Sequence, residues 1–282
     1  MNRRSFLGLT GAALVLPWQT LFAQPTTLQR FREMVAKAQE EGWADLPIGD
    51  MMAAFGEQLV GTRYVGGTLE QPGPEQCRID LAGLDCVTFV ENILALSRMM
   101  KLGGSSLEEM EEEVTYTRYR GGILDGYSSR LHYTAEWIAD NVSKGVVRDI
   151  TPELGGEPLT IDVHFMSEHA ELYPALKKQP DLVPVIAAIE RSIRRIPRTY
   201  IPTARIAEIE GRLRTGDIVA IATSKKGLDY AHMGMVLRNE DGAVLVHASS
   251  SQKKVVVDGR VSDVIAAVRS HTGISVLRPV EP

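Results

Sequence analysis

The chain is sparing with cysteine, with positive charge and with long apolar runs, and each shortage narrows what it can be. Its 282 residues include only two cysteines, Cys77 and Cys86, so at most one disulfide, across a short loop, is available. Acidic residues outnumber basic ones by 36 to 31, and the formal net charge of −5 argues against nonspecific nucleic-acid binding. Beyond residue 23 no stretch is both apolar and long enough for a membrane helix. Internal repeats and low-complexity linkers are also missing, so nothing in the texture divides the chain. With 44% hydrophobic and 24% charged residues, what remains has the composition of an ordinary soluble globule.

What is there begins with "MNRRSFLGLTGAALVLPWQTLFA". Arg3 and Arg4 form a charged head, an uncharged run with an apolar core follows, and a small residue, Ala23, closes it. This is the anatomy of a secretory signal spanning residues 1–23, and "RRSFLG" resembles the twin-arginine export signal. The competing reading is a membrane anchor, which Gly8, Gly11 and Pro17 interrupt. Loss of the signal leaves residues 24–282, with a net charge of −7 once Arg3 and Arg4 are gone (−5 − 2). The expected location is periplasmic or secreted.

In the rest of the chain, Phe31, Met34, Val35 and Ala38 fall at helical spacing within 28–41, and a second helix is expected over about 49–59. Residues 60–83 carry five glycines and two prolines and read as loop. After Cys86, residues Phe89, Val90, Ile93, Leu94, Ser97 and Met100 mark a helix with an apolar face. The middle, 103–202, reads as mostly helical with loops. From Leu213 the texture becomes short β-rich runs, "GDIVAIAT", "AHMGMVLR", "AVLVHASS", "KKVVVD" and "GISVLRPV", which suggest an antiparallel meander. Helices first and a compact antiparallel sheet last imply an α+β fold.

Cys86 opens the helix of "LDCVTFVENILAL". There, unpaired backbone N–H groups and the positive end of the helix dipole favour an anion. The same groups suit a thiolate nucleophile and the oxyanion formed when a carbonyl is attacked. Asp85 opposes thiolate formation by its charge. It either caps the helix or binds a cationic part of a substrate. A nucleophilic thiol needs a base, and His232 of "AHMGMV" sits among small and apolar residues. His247 of "VLVHASS" follows 15 residues later, and a turn at "NEDG" would bring the two imidazoles side by side on neighbouring strands. One ring would take the thiol proton and the other would orient it. Zinc is the rival for such a pair, but no third carboxylate or cysteine stands at ligand spacing. Neither a metal nor a cofactor is expected.

"GTRYVGG" (61–67), "LDC" (84–86), "LRTGDIVAI" (213–221), "AHMGMVL" (231–237) and "VLVHASS" (244–250) occur in the order found in NlpC-type cell-wall peptidases. The sequence thus resembles papain-like cysteine hydrolases of bacterial peptidoglycan. The resemblance implies a papain-like core with the nucleophile helix packed on a C-terminal antiparallel sheet. It makes Cys86 the nucleophile, His232 the base and His247 the orienting third residue. Tyr64 would face the reacting carbonyl and Asp85 would help hold substrate, with Thr88 counted in the same oxyanion and substrate group. Two departures stand out. "DCVT" replaces the usual "DCSG", removing a substrate-contacting serine. A long segment, about 103–212, separates the cysteine helix from the Gly-Asp strand and reads as an insertion within one domain. That insertion brings the chain closer to the N-acetylmuramoyl-L-alanine amidase-like branch.

Within it, "GYSSRLHYTAEWI" sets Tyr127 and Arg130 beside Tyr133 and Trp137. Aromatic faces and a guanidinium suit sugars and carboxylates, so Tyr127 and Arg130 join the candidate substrate residues. Equally, Tyr133 and Trp137 fit the i, i+4 core anchors of a helix. His132 reads as structural, and His164, His169 and His271 have no partner pattern. The leading expectation is an exported Cys-His-His hydrolase acting on an amide bond of peptidoglycan or a muropeptide. Alternatives are a stem-peptide endopeptidase cutting D-Glu to a diamino acid, a catalytically silent cell-wall peptide-binding module, and a transferase or deamidase on the same scaffold.

Overall fold

A computed structural model describes residues 25–282; the secretory signal assigned to 1–23 lies outside them. Helix α1 (Thr27–Glu40) starts from a capping box in which Thr26 and Gln29 satisfy each other's backbone N–H groups. It buries the four predicted residues Phe31, Met34, Val35 and Ala38. Helix α2 (Ile48–Gln58) follows Pro47. The glycine-rich loop after it holds two short strands, β1 (Arg63–Tyr64) and β2 (Gly83–Leu84), which pair in parallel. Helix α3 (Cys86–Lys101) is buried nearly all round, with Phe89, Val90, Ile93, Leu94, Leu96 and Met99 inside along with Glu91, Asn92, Ser97 and Arg98. Such a helix belongs at the centre of a protein. It packs on α2, on helix α4 (Leu107–Arg118) and against the sheet.

The middle segment carries helices α5 (Thr134–Ser143), α6 (Phe165–Glu168), α7 (Pro174–Lys178), α8 (Leu182–Ile193) and α9 (Ile206–Ile209). It also adds three short strands that periodicity had not shown: β3 (Val147–Asp149), β4 (Glu157–Leu159) and β5 (Arg198–Pro202). Each is five residues or fewer, too short for a period of two to register. Tyr133 and Trp137 are buried anchors of α5.

The C-terminal part is the antiparallel meander expected. Strands β6 (Ile218–Thr223), β7 (Tyr230–Asn239), β8 (Gly242–Ser249) and β9 (Lys254–Arg260) pair in sequence. Helix α10 (Val261–Ala266) follows, and β10 (His271–Pro279) returns antiparallel beside β6. The sheet runs β2-β1-β9-β8-β7-β6-β10-β5-β4, with β3 also on β10. Alternation divides its side chains between two cores. Ile218, Ala220, Met233, Met235, Val246 and Val255 meet α3 and the other early helices. Val219, Ile221, Val236 and Leu245 meet Ile206 and Ile209 of α9 and Val261 and Ile265 of α10. The mixed α+β class is therefore observed, with helices on both faces of one sheet.

Candidate active site

Asp85 is the N-cap of α3. Its Oδ1 accepts from the Val87 and Thr88 N–H groups at 3.1 and 2.8 Å, and the Thr88 hydroxyl bonds both that oxygen and the Asp85 N–H. Thr88 is thus buried within the cap, and the cap places Cys86 in the first turn. The half-buried Cys86 lines a cavity of about 290 Å³ together with Asp85, His232, Tyr133 and Asp229. Burial, and secondarily the Asp85 charge, pushes its thiol up to about 12. Backbone hydrogen bonds from Met233 and from the helix start, at Cys86 and Val87, pull the other way. Cys77 is also a free thiol, so no disulfide blocks Cys86, and the Cys77 Sγ donates to the Glu111 carbonyl at 3.7 Å.

His232 sits beside an irregularity in the sheet. Ile221 pairs with His232, but the next rung joins Ala222 to Tyr230, leaving Ala231 as an unpaired bulge. Bulges add twist and re-aim neighbouring side chains. Here His232 lines both the Cys86 cavity and a second one of about 390 Å³ on its other side. Its Nε2 lies 2.6 Å from Nδ1 of His247, with the rings edge to face at 84°. Burial, then the charges His247 and His271 would carry, depress His232 to about 3. Its resting imidazole is neutral.

Two residues that the sequence reading passed over complete this arrangement. Asp258, at the end of the "KVVVD" run of β9, has Oδ2 3.2 Å from His247 Nε2 and accepts from Gln252 Nε2 at 3.0 Å. Gly234 of β7 lies under His247: a Cβ there would come 3.1 Å from the His247 Cβ. An acidic residue after three valines, and the glycine of His-x-Gly, were the available signals. With one His247 nitrogen on His232 and the other on Asp258, neither is spare for a metal.

Of the remaining candidates, Arg130 lines the Cys86 cavity, whereas Tyr64 and Tyr127 do not. Tyr64, on β1, is close enough to Cys86 and Asp85 that both add to the burial that raises its hydroxyl to about 12. It stays protonated at neutral pH and can donate. Tyr127 and Arg130 are not open to solvent. The Tyr127 hydroxyl donates to Glu70, and Arg130 pairs with Glu70 at 2.5 Å and Glu75 at 3.1 Å, with its guanidinium 5.0 Å over the Tyr127 ring. The protein's own carboxylates therefore occupy the guanidinium that sequence offered to substrate. His132 is half-buried, within 2.8 Å of the Tyr127 carbonyl through Nε2, and desolvation holds it neutral.

Comparison with known proteins adds the lineage. The family model described as AmiA-like, N-acetylmuramoyl-L-alanine amidase-like, matches residues 54–274. The chain belongs to this family of amidase-like cell-wall hydrolases. Among solved structures, an N-acetylmuramoyl-L-alanine amidase from Bacteroides uniformis is 37% identical, with a TM-score of 0.78 over 83% of this chain and 99% of that one. A Bacteroides fragilis protein bearing a provisional xylanase name is 35% identical, with a TM-score of 0.73 over 79% and 98%. A Legionella pneumophila protein at 20% identity and a TM-score of 0.66, covering 89% of this chain and 93% of that one, shares the fold. No match was found among curated proteins. All the catalytic candidates fall within the matched span. Among the described residues no helix is long and apolar enough to cross a membrane.

Proposed function

We propose that the protein is an exported cysteine hydrolase that cleaves the amide bond joining the lactyl group of muramic acid to L-Ala in peptidoglycan. One observation carries the reading: Cys86, at the N-terminus of α3, shares its cavity with His232, and His232 is tied nitrogen to nitrogen to His247. The order of motifs matches NlpC-type papain-like hydrolases, and the family supplies the amidase chemistry. On this reading residues 1–23 direct export, residues 24–282 form one domain, and 103–212 are an insertion that walls the substrate site.

The chemistry runs in two halves. The Cys86 proton passes to His232 as sulfur attacks the carbonyl. The oxyanion accepts hydrogen bonds from backbone N–H at the helix start and from the protonated Tyr64 hydroxyl. The C–N bond breaks, His232 returns the proton to the departing L-Ala nitrogen, and a thioester remains on Cys86. Water, deprotonated by His232, then releases the lactyl carboxylate and restores the thiol.

A glycosidase, as the Bacteroides fragilis name suggests, needs two carboxylates free to act as acid and base or nucleophile. The four on the cavity wall are already engaged. Glu70 and Glu91 are paired with Arg130 and Arg118, while Asp85 and Asp229 accept from helix-start N–H groups. That favours the amidase.

The test is mass spectrometry of sacculi digested with wild type and with Cys86→Ala. Wild type should release stem peptides with a free L-Ala amine and glycan with a free lactyl carboxylate, and the variant neither. Cleavage at D-Glu instead would favour the endopeptidase. Undiminished release by Cys86→Ala would end the cysteine mechanism.

A further inference from the structure

The two histidines have definite proton positions once Asp258 is considered. A carboxylate oxygen accepts and does not donate, so the Asp258 Oδ2 contact at 3.2 Å requires the hydrogen of neutral His247 to sit on Nε2. His247 Nδ1 is then a lone pair, and the 2.6 Å contact to His232 Nε2 requires His232 to donate. The hydrogen of His232 is thereby fixed on Nε2, and Nδ1, the ring nitrogen not engaged with His247, is left as the free base. Asp258 itself is held: Gln252 Nε2 donates to Oδ2 at 3.0 Å and the Gly259 N–H to Oδ1 at 2.8 Å.

We infer that Asp258 is a positioning residue that sets the tautomers of His247 and His232 in series, making the site a four-membered chain Cys86–His232–His247–Asp258. The inference rests on the cysteine-hydrolase reading above. In the first half-reaction the thiol proton moves from Sγ to His232 Nδ1, and the charge formed on that ring is shared through the two N–H donors toward Asp258. No further proton need leave the chain, so atoms and charge balance within it. The titratable groups facing the pair from neighbouring elements, across the 390 Å³ cavity, are Lys225 before β7 and His271 at the start of β10. Neither takes a hydrogen bond from the two rings among the described residues. His271 lies close enough to lower His232, and Lys225 to lower His271. Among the described residues Asp258 is the one carboxylate bonded to the pair.

The test uses Asp258→Ala and Asp258→Asn in the full mature chain, read by three measurements. These are kcat and KM on muropeptides, the rate of Cys86 alkylation by iodoacetamide across pH, and ¹⁵N spectra of labelled histidine rings. In wild type both rings should show the Nε2–H tautomer. Asp258→Ala should mix the tautomers, lower kcat roughly 10²-fold with KM little changed, and slow alkylation in parallel. Asn keeps a carbonyl acceptor toward Gln252 and His247 but sets its amide against the Gly259 N–H and carries no charge, so it should retain more of the Nε2–H tautomer and of kcat than alanine does. Wild-type tautomers and kcat in Asp258→Ala, or an equal loss of both in Asp258→Asn, would overturn the relay. If the tautomers shift as expected but wild type releases no product from peptidoglycan, the relay stands and the hydrolase reading fails.

Discussion

Gly234 and His247 face each other across β7 and β8, and there is no room at 234 for a side chain. A Cβ would come 2.8 Å from Leu245 Cδ1 and 3.1 Å from the His247 Cβ. The glycine lets the His247 ring lean along the sheet onto His232, two residues away in the same strand as Gly234. This gives the glycine of His-x-Gly a steric reason.

Gly234→Val should therefore shift His247 off His232. A displacement of about 1 Å in such a site costs on the order of 10²-fold in rate. Overpacking adds about 1–3 kcal/mol of destabilisation, which the fold should tolerate. Steady-state kinetics beside a urea melt would check both, and an active Gly234→Val enzyme would refute the steric account.

The resting thiol and imidazole are both neutral, since Cys86 is raised to about 12 and His232 lowered to about 3. The sign follows directly. Between those values neither group is charged, so no thiolate–imidazolium pair waits for substrate. Cys86 alkylation by iodoacetamide should climb with pH through 7 and on past 9, without a plateau near pH 5. A flat rate from pH 5 to 8 would mean a preformed ion pair and contradict this picture.

How much of this could be read in the sequence depended on the range of the interactions. The bounds of α1, α2 and α3 and the strand meander were legible, because a period of 3.6 or 2 runs along the chain itself. Cys86 and the two histidines were legible because each sits at an unusual place in an otherwise apolar element. The destination of Arg130 was not, since Glu70 and Glu75 lie 60 and 55 residues away with no local mark. Nor was Asp258, whose role depends on β9 pairing with β8 in one register. Alternation alone could assign it only a face.

Arg118 and Glu91 join α4 to α3 inside the protein, at 2.7 Å and with side chains 1% and 2% exposed. Arg118 Nη1 also donates to the Arg78 carbonyl at 2.6 Å, which fastens the loop before Cys86. Glu91→Leu would leave that guanidinium buried without its counter-ion, at a cost of about 3–5 kcal/mol. Replacing both, Glu91→Leu with Arg118→Met, should cost less than the two single changes added together. Urea denaturation of the three variants measures the coupling, and simple additivity would show that the pair is not a unit.

Asp229 gives the protein a pH dependence of its own. The start of α5 has no side-chain cap from its own N-cap residue, Tyr133, and Asp229 supplies it from the sheet side. Its Oδ2 accepts the Ala135 N–H at 2.6 Å and its Oδ1 the Tyr230 N–H at 2.7 Å. Burial outweighs these bonds and raises the carboxyl from 3.8 to about 6. Because the folded value lies above the unfolded one, the native state binds the proton more tightly. The cost is absent below about pH 4, grows as pH rises through 6, and then stays constant. A shift of about 2 units corresponds to roughly 3 kcal/mol at neutral pH. Asp229→Asn cannot ionise, so the stability of wild type relative to this variant should rise by that order between pH 7 and pH 4. Urea melts of the pair at several pH values would show it. If the two curves stay parallel, the carboxyl is not titrating in the fold as its burial requires.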